Sequence, residues 1–456
     1  MKELTKSELF EQTFHTASLY EIYEKKILPR PSLGIDGCST EQFSTNALTT
    51  ISTSVSKIKS GKFKFSPYLE ELKTKGKNKP PRVISKPTTR DRIILSAILQ
   101  ILHTRYSSSI QRELPNQIIR KIKQQIQESP KDLNFIKLDV KGFYDNISHK
   151  KLINKIKKEL DSKTVKLICA AIENITVSHT TKKSDYPEKN STGVPQGLCI
   201  SNILSDIYLE KIDKKYSKHQ YQRYVDDILI ISKTKTSKIT TTLKNDLLKL
   251  ELETNEKSSE GQISQGLEYL GYVFKGKKIV SVRESSKEKF IRSLIAPMTK
   301  YRITKNKPQA KEWLSDEARI SILIETLNEK ITGAISEKKR YGWIFYFIEI
   351  NDMKLLHEID SIIRKNFSKN GLAQHLPRLK RLTRAYHEAK HNIHGNYIHN
   401  YNKYETLQEK INYLIKMGSL NPDTQQSYSK EQIERIFEMK KNKNLLQLDV
   451  DLGSFS

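Results

Sequence analysis

The chain has 456 residues, with 80 Lys and Arg against 52 Asp and Glu, a formal net charge of +28, and 36% hydrophobic residues. Such a length excludes a small staple-dependent domain and predicts two or three domains. The charge excess argues against an ordinary neutral metabolic enzyme and points to a polyanionic partner, nucleic acid before membrane. No apolar run approaches the roughly 20 residues that a membrane-spanning helix needs, and no signal-like segment occupies Met1–Phe10. Cys38, Cys169 and Cys199 form neither a C-x-x-C pair nor an even set, which fits a reducing cytosol. The expectation is a soluble, intracellular protein with no membrane partner.

In chain order, residues 1–130 are polar with short apolar repeats. Gly61–Gln100 carries ten Lys or Arg (Lys62, Lys64, Lys73, Lys75, Lys77, Lys79, Arg82, Lys86, Arg90, Arg92) against Glu70, Glu71 and Asp91, with Pro80, Pro81 and Pro87 breaking helices. Such a run by itself is as often a solvated face as a binding surface. From about 134, β-branched and aromatic residues predict strands at Asn134–Val140 and Tyr221–Ser232 with helices between them, an α+β pattern. Leu152, Ile153, Ile156 and Leu160 recur at helical spacing behind a cap-like Asp145-Asn146-Ile147-Ser148, so a helix is expected directly after the first strand. Gly266–Phe274 predicts another short strand. Beyond about 285 the chain reads as helical and basic. Leu323, Ile324, Leu327, Ile331 and Ile335, then Trp343, Phe345 and Phe347, then Leu355, Leu356, Ile359 and Ile362 predict a helical bundle with its own core.

The chemistry concentrates in Arg223-Tyr224-Val225-Asp226-Asp227-Ile228-Leu229-Ile230-Ile231. Two adjacent carboxylates interrupt an apolar, β-prone run, which is costly unless a positive partner such as a divalent cation meets them. A hairpin with both acids at its tip fits, because Asp favours turns. Asp139 closes the apolar strand Phe135–Val140 in the same manner. An isolated Asp-Asp pair is most often a surface turn. If the two strands share a sheet, however, Asp139 and Asp226 converge on a pair of metal ions about 3.5–4 Å apart, the arrangement of two-metal phosphoryl transfer. Oxygen-only ligands point to Mg²⁺, with Mn²⁺ as a substitute.

These segments resemble the boxes of bacterial reverse transcriptases. Tyr224-Val225-Asp226-Asp227 matches the family's metal-binding box, Asp139-Val140-Lys141-Gly142-Phe143-Tyr144-Asp145 the box with the other metal-binding aspartate, and Thr192–Ser201 (Thr-Gly-Val-Pro-Gln-Gly-Leu-Cys-Ile-Ser) the box beside the nucleotide. The resemblance implies an α+β right-hand polymerase. Fingers and an N-terminal extension would occupy 1–130, a palm with an antiparallel sheet 131–278, a helical thumb 279–380 and a basic helical C-terminal region 381–456. It implies that Asp139 and Asp226 hold two Mg²⁺ ions with Asp227 completing the acidic cluster. Tyr144 falls on the steric gate against a ribose 2′-hydroxyl, and Gln196 contacts the incoming nucleotide while Gly193 and Gly197 allow close backbone approach. Lys257 resembles the lysine that protonates the departing pyrophosphate. Lys79–Arg92 resembles the fingers segment that clamps the triphosphate, with Arg82 first and Lys79 second, and with Lys86, Arg90 and Arg92 as nucleic-acid contacts. Arg suits this work because its planar fork bonds two phosphate oxygens at once.

Gly34-Ile35-Asp36-Gly37 resembles an element shared with group II intron enzymes, and Gly266–Tyr272 the primer grip. Val225, Arg223 and Leu198-Cys199-Ile200 most resemble the defence-associated group, which implies a bacterial cytoplasmic enzyme of antiphage defence. Such an enzyme copies a structured non-coding RNA into DNA from dNTPs, with a second copy or a second defence protein as implied partner. The alternatives are a group II intron maturase or a retron enzyme, and a template-independent or protein-primed polymerase. Near the C-terminus, Arg378, Lys380, Arg381, Arg384 and Lys390 interleave with Tyr386, Tyr397 and Tyr401, which predicts RNA contact. His387, His391 and His394 share a helical face but have no Cys or acidic ligand in register for a metal.

Overall fold

The computed structural model describes residues 4–74, 80–107, 113–234, 236–256, 258–305 and 313–452. They fall into two compact units, Met1–Arg112 with Asn134–Glu260, and Glu113–Leu133 with Gly261–Ser456. The α+β expectation holds: helices surround several small sheets. The sequential division at 130, 278 and 380 meets a partition in which the helix Pro115–Glu128 belongs with the C-terminal unit. There Arg120 donates from Nε to Glu349 Oε1 at 2.8 Å and Lys123 donates to the Glu349 carbonyl at 3.2 Å. Among the described residues no helix is long and apolar enough to cross a membrane.

In the first unit the strands are β1 (Tyr68–Lys73), β2 (Arg82–Lys86), β3 (Asn134–Asp139), β4 (Thr176–Val177), β5 (Gln220–Tyr224) and β6 (Asp227–Ser232). β6 lies between β5 and β3, antiparallel to both, with Asn134 opposite Ser232, Asp139 opposite Asp227 and Tyr224 opposite Asp227. Ile136, Leu138 and Ile228–Ile231 are all buried, so the central strands are covered on both faces, and this is why β6 reads as an unbroken apolar run. One core joins Ile136, Leu138, Ile228 and Ile230 to Leu204, Ile207, Leu243 and Leu247. Each such fully buried aliphatic side chain stabilises by about 1.5–3 kcal/mol, which gives the carboxylates at the strand ends a rigid floor.

The basic run folds as the β1–β2 hairpin, with Leu69 opposite Lys86 and Lys73 opposite Arg82, and β4 adds in parallel beside Tyr68 and Leu69. Thr88 then caps the helix Thr89–Arg105 by accepting from the Asp91 amide. The helix expected directly after β3 is preceded by a 3₁₀ turn, Phe143–Asn146, and begins at His149. The cap-like side chains are spent in that turn, where Asn146 Nδ2 donates to the Lys141 carbonyl at 2.9 Å.

In the second unit, Gly266–Phe274 is two strands and not one. Leu267–Tyr269 and Tyr272–Lys275 reverse through Leu270 (φ 49°) and Gly271 (φ 78°), a two-residue loop with both residues left-handed. The expected helical bundle differs at Ile335. Leu323–Ile331 lie on the helix Asp316–Thr332, but Ile335 falls in the strand Ala334–Ser336, which pairs with Lys339–Tyr341 and His399–Asn400. Trp343 stacks on Phe290 with centroids 4.6 Å apart.

A buried polar knot ties this region together. Tyr401 donates to Glu329 Oε1 at 2.6 Å, and Asn444 Nδ2 donates to Glu329 Oε2 at 3.1 Å and to the Tyr413 hydroxyl at 3.2 Å. Burial pushes the Glu329 carboxyl up to about 7. The folded state therefore holds a proton that the unfolded chain has lost between its ordinary value of 4.5 and about 7, so this group's contribution to stability falls as pH rises across that window. Glu329→Gln is expected to melt at a temperature that depends less on pH between 5 and 8 than the parent does. Parallel pH profiles of the two proteins in a scanning calorimeter would contradict it.

Candidate active site

The β5–β6 connection is a two-residue hairpin loop, Val225-Asp226, so Asp226 stands in the turn while Asp227 opens β6. Val225 has φ 57°, a left-handed conformation that a β-branched residue rarely adopts, at a cost of about 1–3 kcal/mol. Behind it lies Arg223, only 2% exposed. Arg223 Nη1 donates to the Val225 carbonyl at 2.9 Å, Nε and Nη2 clasp the two oxygens of Asp213 at 2.8 and 2.6 Å, and Nη2 reaches Asp206 Oδ1 at 3.1 Å.

Asp139 is the register partner of Asp227, which by sheet geometry puts their Cβ atoms about 4.5–5.5 Å apart on one face. The Val140 amide donates to the Asp226 carbonyl at 3.3 Å, carrying the ladder into the turn. Asn255 fixes Asp139 from the other side. Its amide donates to the Asp139 carbonyl at 2.7 Å and its Nδ2 to Asp139 Oδ2 at 2.6 Å. Burial, and then the neighbouring Asp139 charge, push the Asp226 carboxyl up to about 6, while Arg82 and Arg223 pull it down. Asp226 Oδ1 is buried with no hydrogen-bond partner among the described residues.

An orphaned carboxylate oxygen facing a second carboxylate fits a hard divalent cation, and Asp139, Asp226 and Asp227 are the residues that would hold it. Among the described residues no group of three or more His, Cys, Asp or Glu side chains is drawn together closely enough to hold a metal ion by itself. An open oxygen set of this kind is what Mg²⁺ uses when water and substrate phosphates complete its shell.

The Thr192–Ser201 segment is laced to the Tyr144–His149 segment. The Gly193 amide donates to the Ile147 carbonyl at 2.8 Å and the Val194 amide to the Tyr144 carbonyl at 2.7 Å, while the His149 ring contacts the Gly193 carbonyl at 2.6 Å. Tyr144 is half-buried, its phenol pushed up to about 12 by burial, and its hydroxyl donates to Asn202 Oδ1 at 2.7 Å. The glycines serve packing within the protein. A Cβ on Gly193 would stand 2.8 Å from the Asp145 carbonyl oxygen, and one on Gly197 would stand 2.9 Å from the Ser85 carbonyl oxygen. Gln196, half-buried, accepts at its carbonyl from the Ser85 amide at 2.7 Å, which pins the box to β2.

Of the basic residues singled out in the sequence, Arg82 opens β2 within electrostatic reach of Asp226. Lys79 and Lys257 lie outside the described residues. Lys86 is engaged by Glu71 at 2.5 Å. Arg90 and Arg92 both bond within the protein. Arg90 bonds Asp91, the Lys64 carbonyl and Ser66 and lies over the Phe63 ring, and Arg92 bonds the Arg30 carbonyl. In the second unit Arg378, Arg381 and Arg384 are exposed, and Lys380 is half-buried and donates to the Tyr397 carbonyl. Arg384 and Lys380 flank the Tyr397 ring at 4.5 and 5.1 Å, although Arg378 is already bonded to Glu317 and Ser321. The His387 and His391 rings lie 5.2 Å apart, tilted by 45°, and the described residues place no metal-holding group there.

Sequence reasoning missed Asn255, Asn202 and the Asp206–Asp213–Arg223 network. Arg223, three residues before Asp226, was the available signal, since a cation in a strand beside an apolar run needs buried acceptors.

Residues 73–274 match the family model described as reverse transcriptase (RNA-dependent DNA polymerase). The chain is 27% identical over 172 residues to the COX1/OXI3 intron 2 protein of Saccharomyces cerevisiae, covering 36% of this chain and 19% of that protein. It is 25% identical over 214 residues to a 91 kDa protein in the cob intron of Schizosaccharomyces pombe, covering 45% and 26%. The chain thus spans no more than about a quarter of the length of these curated relatives. Similar solved structures include apo telomerase from Candida tropicalis (15% identity, 86% of this chain and 74% of that chain, TM-score 0.41). Telomerase from Candida albicans with a fragment of telomeric RNA is another (13%, 87% and 69%, TM-score 0.40). The span that matches the reverse transcriptase (RNA-dependent DNA polymerase) model, residues 73–274, includes Asp139, Asp226 and Asp227, Tyr144 and the Thr192–Ser201 segment.

Proposed function

We propose that the protein is an RNA-directed DNA polymerase that extends a 3′ end with deoxynucleotides. The observation that carries this reading is the register of Asp139 against Asp227, with the partnerless oxygen of Asp226 beside them. A bound pair of Mg²⁺ ions would supply activation of the attacking oxygen and neutralisation of the leaving pyrophosphate. The chain's own part is to hold and orient. Asp139, kept in place by Asn255, and Asp226, at the tip of the hairpin, present oxygen ligands. Arg82 offers a planar fork to the triphosphate, and Gln196, fastened to β2, borders the nucleotide. Tyr144 has its ring fixed by Asn202 and closes the space a ribose 2′-hydroxyl would need. Lys79 and Lys257 are assigned a phosphate contact and protonation of pyrophosphate by their place in the boxes.

The template is proposed to be a structured RNA. The net charge of +28 supports a stable complex, as do the exposed Arg378, Arg381 and Arg384, the last over the Tyr397 ring. The box variants at Val225 and Leu198-Cys199-Ile200 support a bacterial cytoplasmic defence enzyme. A second reading, an enzyme acting with an intron, is favoured by the two intron proteins among the relatives.

The test is primer extension on RNA with and without prior ribonuclease treatment. Synthesis that survives ribonuclease would overturn the RNA-directed reading. In the same assay Tyr144→Ala is expected to raise ribonucleotide incorporation relative to deoxynucleotide by about a hundredfold, the scale on which a lost pocket wall relaxes selectivity. An unchanged ratio would remove Tyr144 from the gate.

A further inference from the structure

The strained loop and the buried guanidinium behind it belong to one device. Nothing local favours Val225 at φ 57°, since this position of a two-residue hairpin loop ordinarily takes glycine. Its carbonyl belongs to the peptide between the two loop residues, whose orientation sets the direction in which Asp226 leaves the backbone. That carbonyl accepts from Arg223 Nη1 at 2.9 Å. The guanidinium itself has no freedom to follow a moving loop. Asp213 clasps it bidentately at 2.8 and 2.6 Å, Asp206 takes a further bond at 3.1 Å, and Tyr221 donates to the same Asp213 at 2.7 Å. Both acids sit on the helix Ser201–Tyr216, which begins at the last residue of the nucleotide box. A simple ion pair would satisfy Arg223 through the acids alone, and the bond to the loop carbonyl is the feature such a pair does not require.

We propose that Arg223, anchored by Asp213 and Asp206, is a positioning residue that holds Val225 left-handed and so aims Asp226 at the cation site, coupling that site to the helix behind the nucleotide box. The inference rests on the reading that Asp226 holds a divalent cation. Its prediction concerns rescue. Glycine adopts the left-handed conformation without strain, so a loop with glycine at 225 no longer needs the clamp.

The test compares the full chain with Arg223→Lys, Val225→Gly and the double variant. Two readouts are taken, the Mg²⁺ concentration that half-saturates the rise in melting temperature without nucleotide, and the one that half-saturates primer extension. Arg223→Lys is expected to raise both by about tenfold or more, the scale for residues supporting a metal ligand. The double variant is expected to return to the values of Val225→Gly alone. An equal loss with valine or glycine at 225 would overturn the proposal, because a general packing defect does not depend on the loop residue. Unchanged Mg²⁺ midpoints in Arg223→Lys would also overturn it. Should Arg223→Lys fail to fold, Asp213→Asn, which loosens the same clasp, takes its place in the comparison with the same outcomes. Failure of the underlying reading looks different: the parent would then show no Mg²⁺-dependent rise in melting temperature, or the same rise as Asp226→Asn.

Discussion

Asp226→Asn is expected to lower DNA synthesis by at least about a thousandfold while leaving the melting temperature of the metal-free protein unchanged or higher. An asparagine has the shape of the aspartate and can occupy the same hairpin loop, so the fold has no reason to change. What it lacks is the charge and one of the two anionic oxygens. In the parent, Asp226 is half-buried beside Asp139 with its buried Oδ1 unpartnered, an arrangement that burial and like-charge repulsion both disfavour. A protein keeps such an arrangement where a cation relieves it, and removing a group that stabilises developing charge in a closed site costs about 10²–10³ in rate even for a neutral donor. Two measurements decide the matter: single-turnover incorporation on a defined RNA template, and scanning calorimetry without divalent metal. Synthesis within tenfold of the parent would sink the assignment of Asp226. A large fall in melting temperature would show instead that the carboxylate is part of the protein's internal bonding.

The contrast between what could be read from the chain and what could not follows the range of the interactions. Asp139 and Asp226 were legible because a carboxylate at the end of an apolar strand is anomalous within its own few residues, and the register of β3 against β6 then joins the two anomalies. Tyr144 and Gln196 were singled out only through the order of their boxes, as the resemblance implies. Arg90 and Arg92 were read as part of a binding run because a run of cations does not say which of them find acceptors inside. The Lys64 carbonyl, Ser66 and the Arg30 carbonyl become partners only through the fold. Asn255 is likewise invisible locally, since its partner lies 116 positions earlier. Ile335 continued a helical apolar spacing and yet is a strand residue, because the pairing of Ala334 with both Tyr341 and His399 overrides local periodicity.

The second large effect follows from the tight approach of Gly197, in the Thr192–Ser201 segment, to the β1–β2 hairpin. Gly197 has φ 106°, outside the region any L side chain occupies comfortably, and a Cβ there would stand 2.7 Å from Ile84 Cγ2 and 2.9 Å from the Ser85 carbonyl oxygen. Strain and overlap act together, so Gly197→Ala is expected to destabilise the protein by about 3 kcal/mol or more. Gly61→Ala is the control. Gly61 also has a positive φ, 70°, but nothing lies within 4 Å of its Cβ position, so it should cost only the strain of about 1 kcal/mol. The difference between the two variants isolates the contact with β2. That contact also matters for function, because the amide of Ser85 holds the carbonyl of Gln196 at 2.7 Å, next to the residue being changed, and Arg82 lies on the same strand. Pushing the box away from β2 separates the two groups proposed to border the nucleotide. Gly197→Ala should therefore raise the dNTP concentration for half-maximal synthesis at temperatures well below its own melting point, and Gly61→Ala should not. Equal melting temperatures for the two variants would show that β2 yields to the added methyl, and the box would then owe its position to the gate segment at Tyr144–Ile147 alone.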